Sequence, residues 1–144
     1  MNAQKTRVNI SLVIAYPLFL RGFASLLSSL GHHVQSSHES GKELMAWLSP
    51  SNLPEIVFLD VDRQATEALE TTALLQEHHP LIKVVALSLN AEKMIIRLLM
   101  RIGAAGYMYK EADLHEVNAA VKAVITKGFY FPPPKAKRLH GRYL

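Results

Sequence analysis

Hydrophobic residues along the chain form short apolar runs that alternate with longer segments of helical period. Five runs have strand length: 8–14, 33–37, 55–60, 82–88 and 106–109. The middle runs are apolar without alternation, which is typical of strands covered by helices on both faces. A strand followed by a helix, repeated five times, predicts an α/β fold with helices packed around a parallel sheet.

The segments between these runs carry helix start and stop signals. Pro17 suits the first turn of a helix that Gly31 closes. Two later helix starts have capping-box spacing: Ser40 with Glu43, and Asp113 with Glu116. The third helix, predicted over 67–78, has the weakest pattern because it contains two adjacent threonines, which are poor helix formers.

The composition is that of an ordinary globular protein. The 144 residues suffice for one domain with a buried core, which we assign to residues 1–131. The absence of cysteine excludes disulfides, thiolate metal sites and cysteine nucleophiles. The N-terminus lacks a secretory pattern, and no run reaches the roughly 18 apolar residues of a membrane span. We therefore expect a cytoplasmic protein that does not interact with membranes.

The net charge of +4 is concentrated near the C-terminus. Four cations lie in the last ten residues: Lys135, Lys137, Arg138 and Arg142. The rest of the chain is close to neutral, which argues against a nucleic-acid-binding surface spread over the domain. Residues 132–144 begin with three prolines, so we predict an extended, basic linker or tail.

One apolar strand runs directly into a carboxylate: in PEIVFLDVDRQ, residues 54–64, four apolar residues precede Asp60. Ser88 and Lys110 also lie at or just after strand ends. Ligands of open parallel sheets bind beyond the carboxyl ends of the strands, so we expect these three residues to meet. A carboxylate, a hydroxyl and an ammonium together suit phosphoryl chemistry. A simple turn-capping role for Asp60 is the alternative.

Five motifs extend this pattern to a known family. The sequence from 7 to 131 resembles the receiver domain of bacterial response regulators, most closely the NarL/FixJ type. The motifs are YPLFLRGFASLL in the first helix, FLD in the phosphoacceptor strand, VVALS in the strand with the hydroxyl, GAAGYMYKEAD in the lysine loop and KGFYFPP at the end of the last helix. The resemblance implies a doubly wound, flavodoxin-like sheet of five parallel strands in the order 2-1-3-4-5.

The resemblance also assigns roles to four residues. It makes Asp60 the phosphoacceptor position, Ser88 the hydroxyl that follows the phosphoryl group, Lys110 the ion-pair partner and Tyr107 the aromatic switch residue. Because these roles come from the matching motifs, they are expectations about the folded protein.

The chain departs from receivers next to this site. Receivers place two acidic residues after the first strand to bind magnesium, but Ile14 and Ala15 stand there in LVIAYP. The Met-Pro that usually follows the phosphoacceptor is replaced by Arg63 and Gln64. Magnesium needs several hard oxygen ligands and neutralises charge during phosphoryl transfer. We therefore expect no bound Mg²⁺, no other cofactor and no ordinary magnesium-dependent phosphorylation.

These features predict a signalling module rather than an enzyme. We expect it to regulate transcription through protein–protein contacts, with Asp60 and Lys110 paired to each other. The resemblance implies a sensor histidine kinase as one partner. It also implies contact with DNA only through an effector domain that is absent from this chain.

The fourth helix has more apolar positions than one buried stripe requires. We expect four residues to face the core: Ile95, Leu98, Leu99 and Ile102. Ile96 and Met100 then form a separate pair four residues apart. In receivers the fourth helix, fifth strand and fifth helix form the usual partner surface, so we expect Ile96 and Met100 in an interface with a second copy or another protein.

Three alternatives stay open. A conventional receiver with a rearranged site would still accept phosphate at Asp60. FLDVDRQAT also resembles the first motif of haloacid-dehalogenase-type phosphatases, with Asp60 as nucleophile and Asp62 as general acid, although that motif normally opens its domain. A flavodoxin-like cofactor binder would need a phosphate loop after the first strand, where AYPLF offers only Tyr16 as a polar side chain.

Overall fold

Five strands and five helices alternate along the chain in a computed structural model that describes residues 7–90 and 92–133. The strands are β1 Asn9–Val13, β2 His33–His38, β3 Ile56–Asp60, β4 Lys83–Ser88 and β5 Gly106–Tyr109. The helices are α1 Pro17–Ser29, α2 Gly41–Trp47, α3 Ala65–His78, α4 Lys93–Ile102 and α5 Leu114–Lys127. The predicted element order is confirmed. The basic residues of the predicted tail lie outside the described residues.

All five strands are parallel and lie in the order β2-β1-β3-β4-β5, which confirms the predicted fold class. The chain moves outward from β1 to β2 and then crosses to β3 on the other side of β1. Connections therefore leave β1 and β3 in opposite directions, which opens a crevice above their carboxyl ends. None of the described helices has the length and apolar character needed to cross a membrane.

The sheet separates two hydrophobic cores. On one face, Phe58 of β3 joins the cluster that contains buried residues of α1 and α5. On the other face, its neighbours Val57 and Leu59 join the cluster that contains buried residues of α2, α3 and α4. Successive side chains of a strand point to opposite faces, so an apolar run without alternation supplies both cores at once.

The helix ends follow the predicted signals. The side chain of Ser40 accepts a hydrogen bond from the N–H of Glu43 at 3.2 Å, and Asp113 accepts one from the N–H of Glu116 at 2.9 Å. Pro17 is the first residue of α1. The positive φ of Gly31, 92°, lies in the left-handed region that favours glycine after a helix.

Helix α3 begins two residues before the predicted start, and its threonines are buried. The hydroxyl of Thr72 donates to the carbonyl oxygen of Ala68 at 2.8 Å, so burial leaves it paired. Thr71 packs so close to Gly41 of α2 that a Cβ at position 41 would overlap it. Tertiary packing therefore stabilises this helix where its intrinsic propensity is weak.

The core-facing stripe of helix α4 matches the predicted one only in part. Leu99 is fully buried, as expected, but Ile96 and Met100 pack partly buried against the same core cluster as Ile95. Ile96 and Met100 are therefore not separate from the core-facing residues, which corrects that part of the prediction, while their place in an interface stays a prediction. In a helix that is apolar around most of its circumference, periodicity alone does not determine which stripe faces the sheet.

The chain after α5 returns to the sheet and pairs with its edge. The N–H of Tyr130 donates to the carbonyl oxygen of Ala105 at 3.1 Å, and the N–H of Tyr107 donates to the carbonyl oxygen of Tyr130 at 3.2 Å. This pairing occupies backbone groups at the start of β5 that an edge strand would otherwise expose.

Candidate functional site

Strand register brings the predicted site residues together. Asp60 pairs with Leu87 of β4, and Ser88 pairs with Tyr109 of β5. The contacts continue past β5, where the N–H of Lys110 donates to the carbonyl oxygen of Ser88 at 2.9 Å. The carboxyl ends of three neighbouring strands therefore place Asp60, Ser88 and Lys110 in the crevice, as the sequence predicts.

The ammonium group of Lys110 lies between two carboxylates. Its Nζ is 2.8 Å from Oδ2 of Asp60 and 2.9 Å from Oδ2 of Asp62. The Lys110 and Asp60 side chains are only 9% and 5% exposed, and the Asp62 side chain is 20% exposed. The expected Asp60–Lys110 pair is therefore present, but as part of a three-residue ion cluster.

Asp60 also shapes the loop that follows β3. Its Oδ1 accepts a hydrogen bond from the N–H of Asp62 at 2.9 Å. A side-chain carboxylate that binds the backbone two residues later forms an Asx turn. The turn-capping role and the ion-pairing role of Asp60 therefore coexist, one at each carboxylate oxygen.

Asp62 is the site residue that the receiver interpretation missed. Its Oδ1 accepts a hydrogen bond from the hydroxyl of Ser88 at 3.1 Å, and its Oδ2 accepts one from the N–H of Leu89 at 2.7 Å. Together with Lys110, these groups surround the carboxylate with three donors. The sequence carried one signal for Asp62, because residues two apart at a strand end tend to point the same way as each other, here as Asp60. Its three hydrogen-bond donors come from distant parts of the chain and are recognisable only in the folded structure.

Phe19 of α1 adds an aromatic contact above the lysine. The Nζ of Lys110 lies 5.4 Å from the centre of the Phe19 ring, within the range of a cation–π interaction. Phe19 in turn stacks on Phe23, with ring centres 5.7 Å apart. Helix α1 therefore contacts the ion cluster through the ring of Phe19.

The surroundings of Lys110 favour its charged form. Burial by itself lowers the pKa of Lys110, but the hydrogen bonds and ion pairs with Asp60 and Asp62 outweigh burial and raise the pKa above its ordinary value. Because the pKa is raised, the stabilisation from charged Lys110 is fully present below pH 10.5, the ordinary value, and is lost as the pH rises through the raised pKa.

The residues after β1 offer no acidic ligands for a metal. Ile14 is 1% exposed and belongs to the core cluster on the α1 side of the sheet. Within the described ranges, no three His, Cys, Asp or Glu side chains are arranged to share a metal ion. The carboxylates of Asp60 and Asp62 already share the ammonium of Lys110. These residues do not fit the several oxygen ligands in octahedral geometry that Mg²⁺ requires.

Tyr107 lies outside the ion cluster, on β5. Its ring contacts Tyr109, with ring centres 5.9 Å apart, and Phe131, with ring centres 6.2 Å apart. Burial, followed by the proximity of Tyr109, raises the pKa of Tyr107. Its role as a switch residue remains a prediction.

Comparison with known proteins assigns the chain to a family. The model of the response regulator receiver domain matches residues 12–122. The chain belongs to this family. Among curated relatives of this receiver domain, the response regulator GacA of Pseudomonas protegens is 33% identical over 134 residues, which cover 92% of this chain and 62% of GacA. The transcriptional regulatory protein DegU of Brevibacillus brevis is 27% identical over 146 residues, which cover 99% of this chain and 61% of DegU.

Solved structures share the fold of this receiver domain. A two-component response regulator of the LuxR family from Aurantimonas has a TM-score of 0.79 at 20% identity, covering 96% of this chain and 99% of that one. A LuxR family DNA-binding response regulator from Silicibacter pomeroyi has a TM-score of 0.72 at 26% identity, covering 88% and 97%. The chain spans about three fifths of the length of the curated relatives named above.

Replacing Lys110 by methionine tests the energetics of the ion cluster. The substitution keeps the length of the side chain but leaves two carboxylates without their cation. We expect the free energy of unfolding at pH 7 to fall by about 3 kcal/mol, the lower end of the cost of breaking a buried pair. Urea denaturation measures the change.

The matched control is Lys122→Met, on the exposed side of α5, where we expect a change within about 0.5 kcal/mol. An equal and small loss in both variants would contradict a stabilising cluster.

Proposed function

We propose that this receiver domain is a signalling module of a transcriptional regulator and acts through protein–protein contacts without ordinary magnesium-dependent phosphorylation of Asp60. The observation that carries the proposal is the ion cluster, in which Lys110 is bound by both Asp60 and Asp62. We further propose that the module is cytoplasmic, needs no cofactor and is not an enzyme.

The environment of Asp60 disfavours attack on a phosphodonor. Its Oδ2 binds Lys110 and its Oδ1 accepts from the backbone of Asp62, so both oxygens are engaged. Two carboxylates and one ammonium leave one net negative charge in the cluster, which repels an incoming anion. Ile14 and Ala15 supply no carboxylate to hold a cation that would offset this charge.

The names of relatives support a role in regulating transcription. DegU is called a transcriptional regulatory protein, and GacA a response regulator. Because this chain spans about three fifths of their length, we propose that contact with DNA belongs to an effector region outside it. A sensor histidine kinase is proposed as a docking partner that binds without transferring phosphate.

The phosphatase alternative is less well supported. That mechanism needs Asp62 as a general acid, which must hold a proton to give to the leaving group. Here the Asp62 carboxylate accepts from Ser88, Leu89 and Lys110. Both carboxylate oxygens of Asp62 are thus engaged as acceptors by groups of the protein, which leaves neither oxygen directed at a leaving group.

Incubation with acetyl phosphate and Mg²⁺ tests the loss of phosphorylation. We expect the intact mass of the wild-type domain to remain unchanged, because the cluster engages Asp60 and no acidic pair offsets the charge. A receiver with both acidic residues, mixed into the same reaction, shows that the phosphodonor is active. Gain of one phosphoryl group by the wild type but not by Asp60→Ala would overturn the proposal.

The face formed by α4, β5 and α5 is the proposed contact surface, with a second copy of the chain as its occupant. Met94 of α4 is 69% exposed and Phe131, which follows α5, is 52% exposed, while Ile96 and Met100 are half-buried. The exposed basic residues of α4 are Lys93, Arg97 and Arg101. The exposed acidic residues just before α5 are Glu111 and Asp113. A two-fold interface would bring these opposite charges of two copies together.

The double substitution Ile96→Glu, Met100→Glu tests this surface. We expect it to abolish self-association in sedimentation velocity, because two charges would enter the apolar part of the interface. Since both side chains also pack partly against the core, circular dichroism must confirm that the variant is folded. Leu81→Glu, at an 89% exposed leucine outside this face, is the matched control and should self-associate like the wild type. A folded double variant with unchanged association would remove the surface from the proposal.

A further inference from the structure

We infer that Asp62 is an internal ligand that fills an oxyanion seat at the carboxyl end of the sheet. The oxyanion seat is formed by three donors: the hydroxyl of Ser88, the N–H of Leu89 and the ammonium of Lys110. This inference deepens the proposed function and rests on it, because it says what occupies the site in place of a phosphoryl group.

The geometry of the carboxylate supports a specific fit. Oδ1 of Asp62 is 3.1 Å from the Ser88 hydroxyl, and Oδ2 is 2.7 Å from the Leu89 nitrogen and 2.9 Å from the Lys110 ammonium. The donors come from the ends of two different strands, β4 and β5. A hydroxyl, a backbone N–H and an ammonium that converge on two oxygens are the complement of a small oxyanion.

The covalent link to the chain favours Asp62 over a ligand from solution. Asp62 lies two residues beyond the end of β3, and its N–H is held by Oδ1 of Asp60 at 2.9 Å. The turn therefore positions the carboxylate beside its donors before any ligand arrives. An intramolecular ligand has a high effective concentration and loses little freedom on binding. With Asp60 adjacent, a second anion would also meet a net negative charge.

The occupied seat has a consequence for signalling. Ser88 is 1% exposed and already donates to an anion in the unmodified chain. The contacts that an added phosphoryl group would make with Ser88, Leu89 and Lys110 are thus supplied by the sequence itself. The end of β4 is held in one arrangement, and the domain signals by binding its partners in that arrangement.

Chemical rescue of Asp62→Ala by acetate tests the inference. Removing the carboxylate empties the seat, so the amide proton of Leu89 should move upfield in an NMR spectrum as its hydrogen bond is lost. Sodium acetate should return the Leu89 and Ser88 amide signals toward their wild-type positions in a saturable titration. Sodium chloride at equal ionic strength should not. The wild type should not respond to acetate, because its seat is full.

Two further variants separate the seat from general effects of charge and folding. Glu70→Ala removes an equal charge from the exposed side of α3 and should show no acetate response. Asp62→Asn serves if the alanine variant does not fold. Its side-chain amide keeps only one acceptor oxygen, so the donor to the other oxygen, Ser88 or Leu89, should lose its hydrogen bond and its amide signal should move. Leu89 and Ser88 signals that both stay at their wild-type positions in the folded variants, or an Asp62→Ala variant that is indifferent to acetate, would overturn the inference.

The acetate titration and the acetyl phosphate reaction together distinguish a failure of this inference from a failure of the proposed function. If Asp62→Ala ignores acetate while the wild-type mass stays unchanged with acetyl phosphate, only the internal ligand is wrong. If the wild type gains a phosphoryl group, the proposed function fails whatever the rescue shows.

Discussion

The ammonium of Lys110, held between two carboxylates, is the interaction on which the rest of the site depends. Removing either carboxylate would leave the lysine with one anionic partner, and removing the lysine would leave two acids facing each other. Burial penalises each charge alone, so both carboxylates depend on the charge of Lys110. The direction of the Lys110 pKa agrees with this, because its partners outweigh the effect of burial.

The fold supplies the geometry that makes this cluster possible. Parallel strands end at the same edge, so Asp60, Ser88 and Lys110 meet although they are far apart in sequence. The Asx turn after β3 then directs Asp62 back toward β4. Asp60, Asp62, Ser88 and Lys110 are thereby arranged to bind one another.

The sequence predicts the sheet and the meeting of its strand ends because both follow from local patterns and strand direction. The positions of Asp60 and Lys110 at strand ends predicted that they meet, and the receiver resemblance implied their ion pair. The contact between Asp62 and Leu89 could not be predicted, because it depends on a bend and on a backbone N–H from another strand. The orientation of α4 was also beyond the sequence, since Ile96 and Met100 face the core only once α3 and the sheet are in place. Phe19 was predicted as a helix residue, and its place over Lys110 required the packing of α1.

The most direct test of the central claim is a titration of the wild-type domain with Mg²⁺ and beryllofluoride, followed at the amide signals of Asp60, Ser88, Leu89 and Lys110. Beryllofluoride mimics a phosphoryl group on an aspartate and needs both a free carboxylate oxygen and unoccupied donors. Because the cluster engages these groups, we expect all four signals to stay in place when both reagents are present. Saturable shifts that require Mg²⁺ and beryllofluoride together would show an open, metal-binding site and would contradict a closed ion cluster.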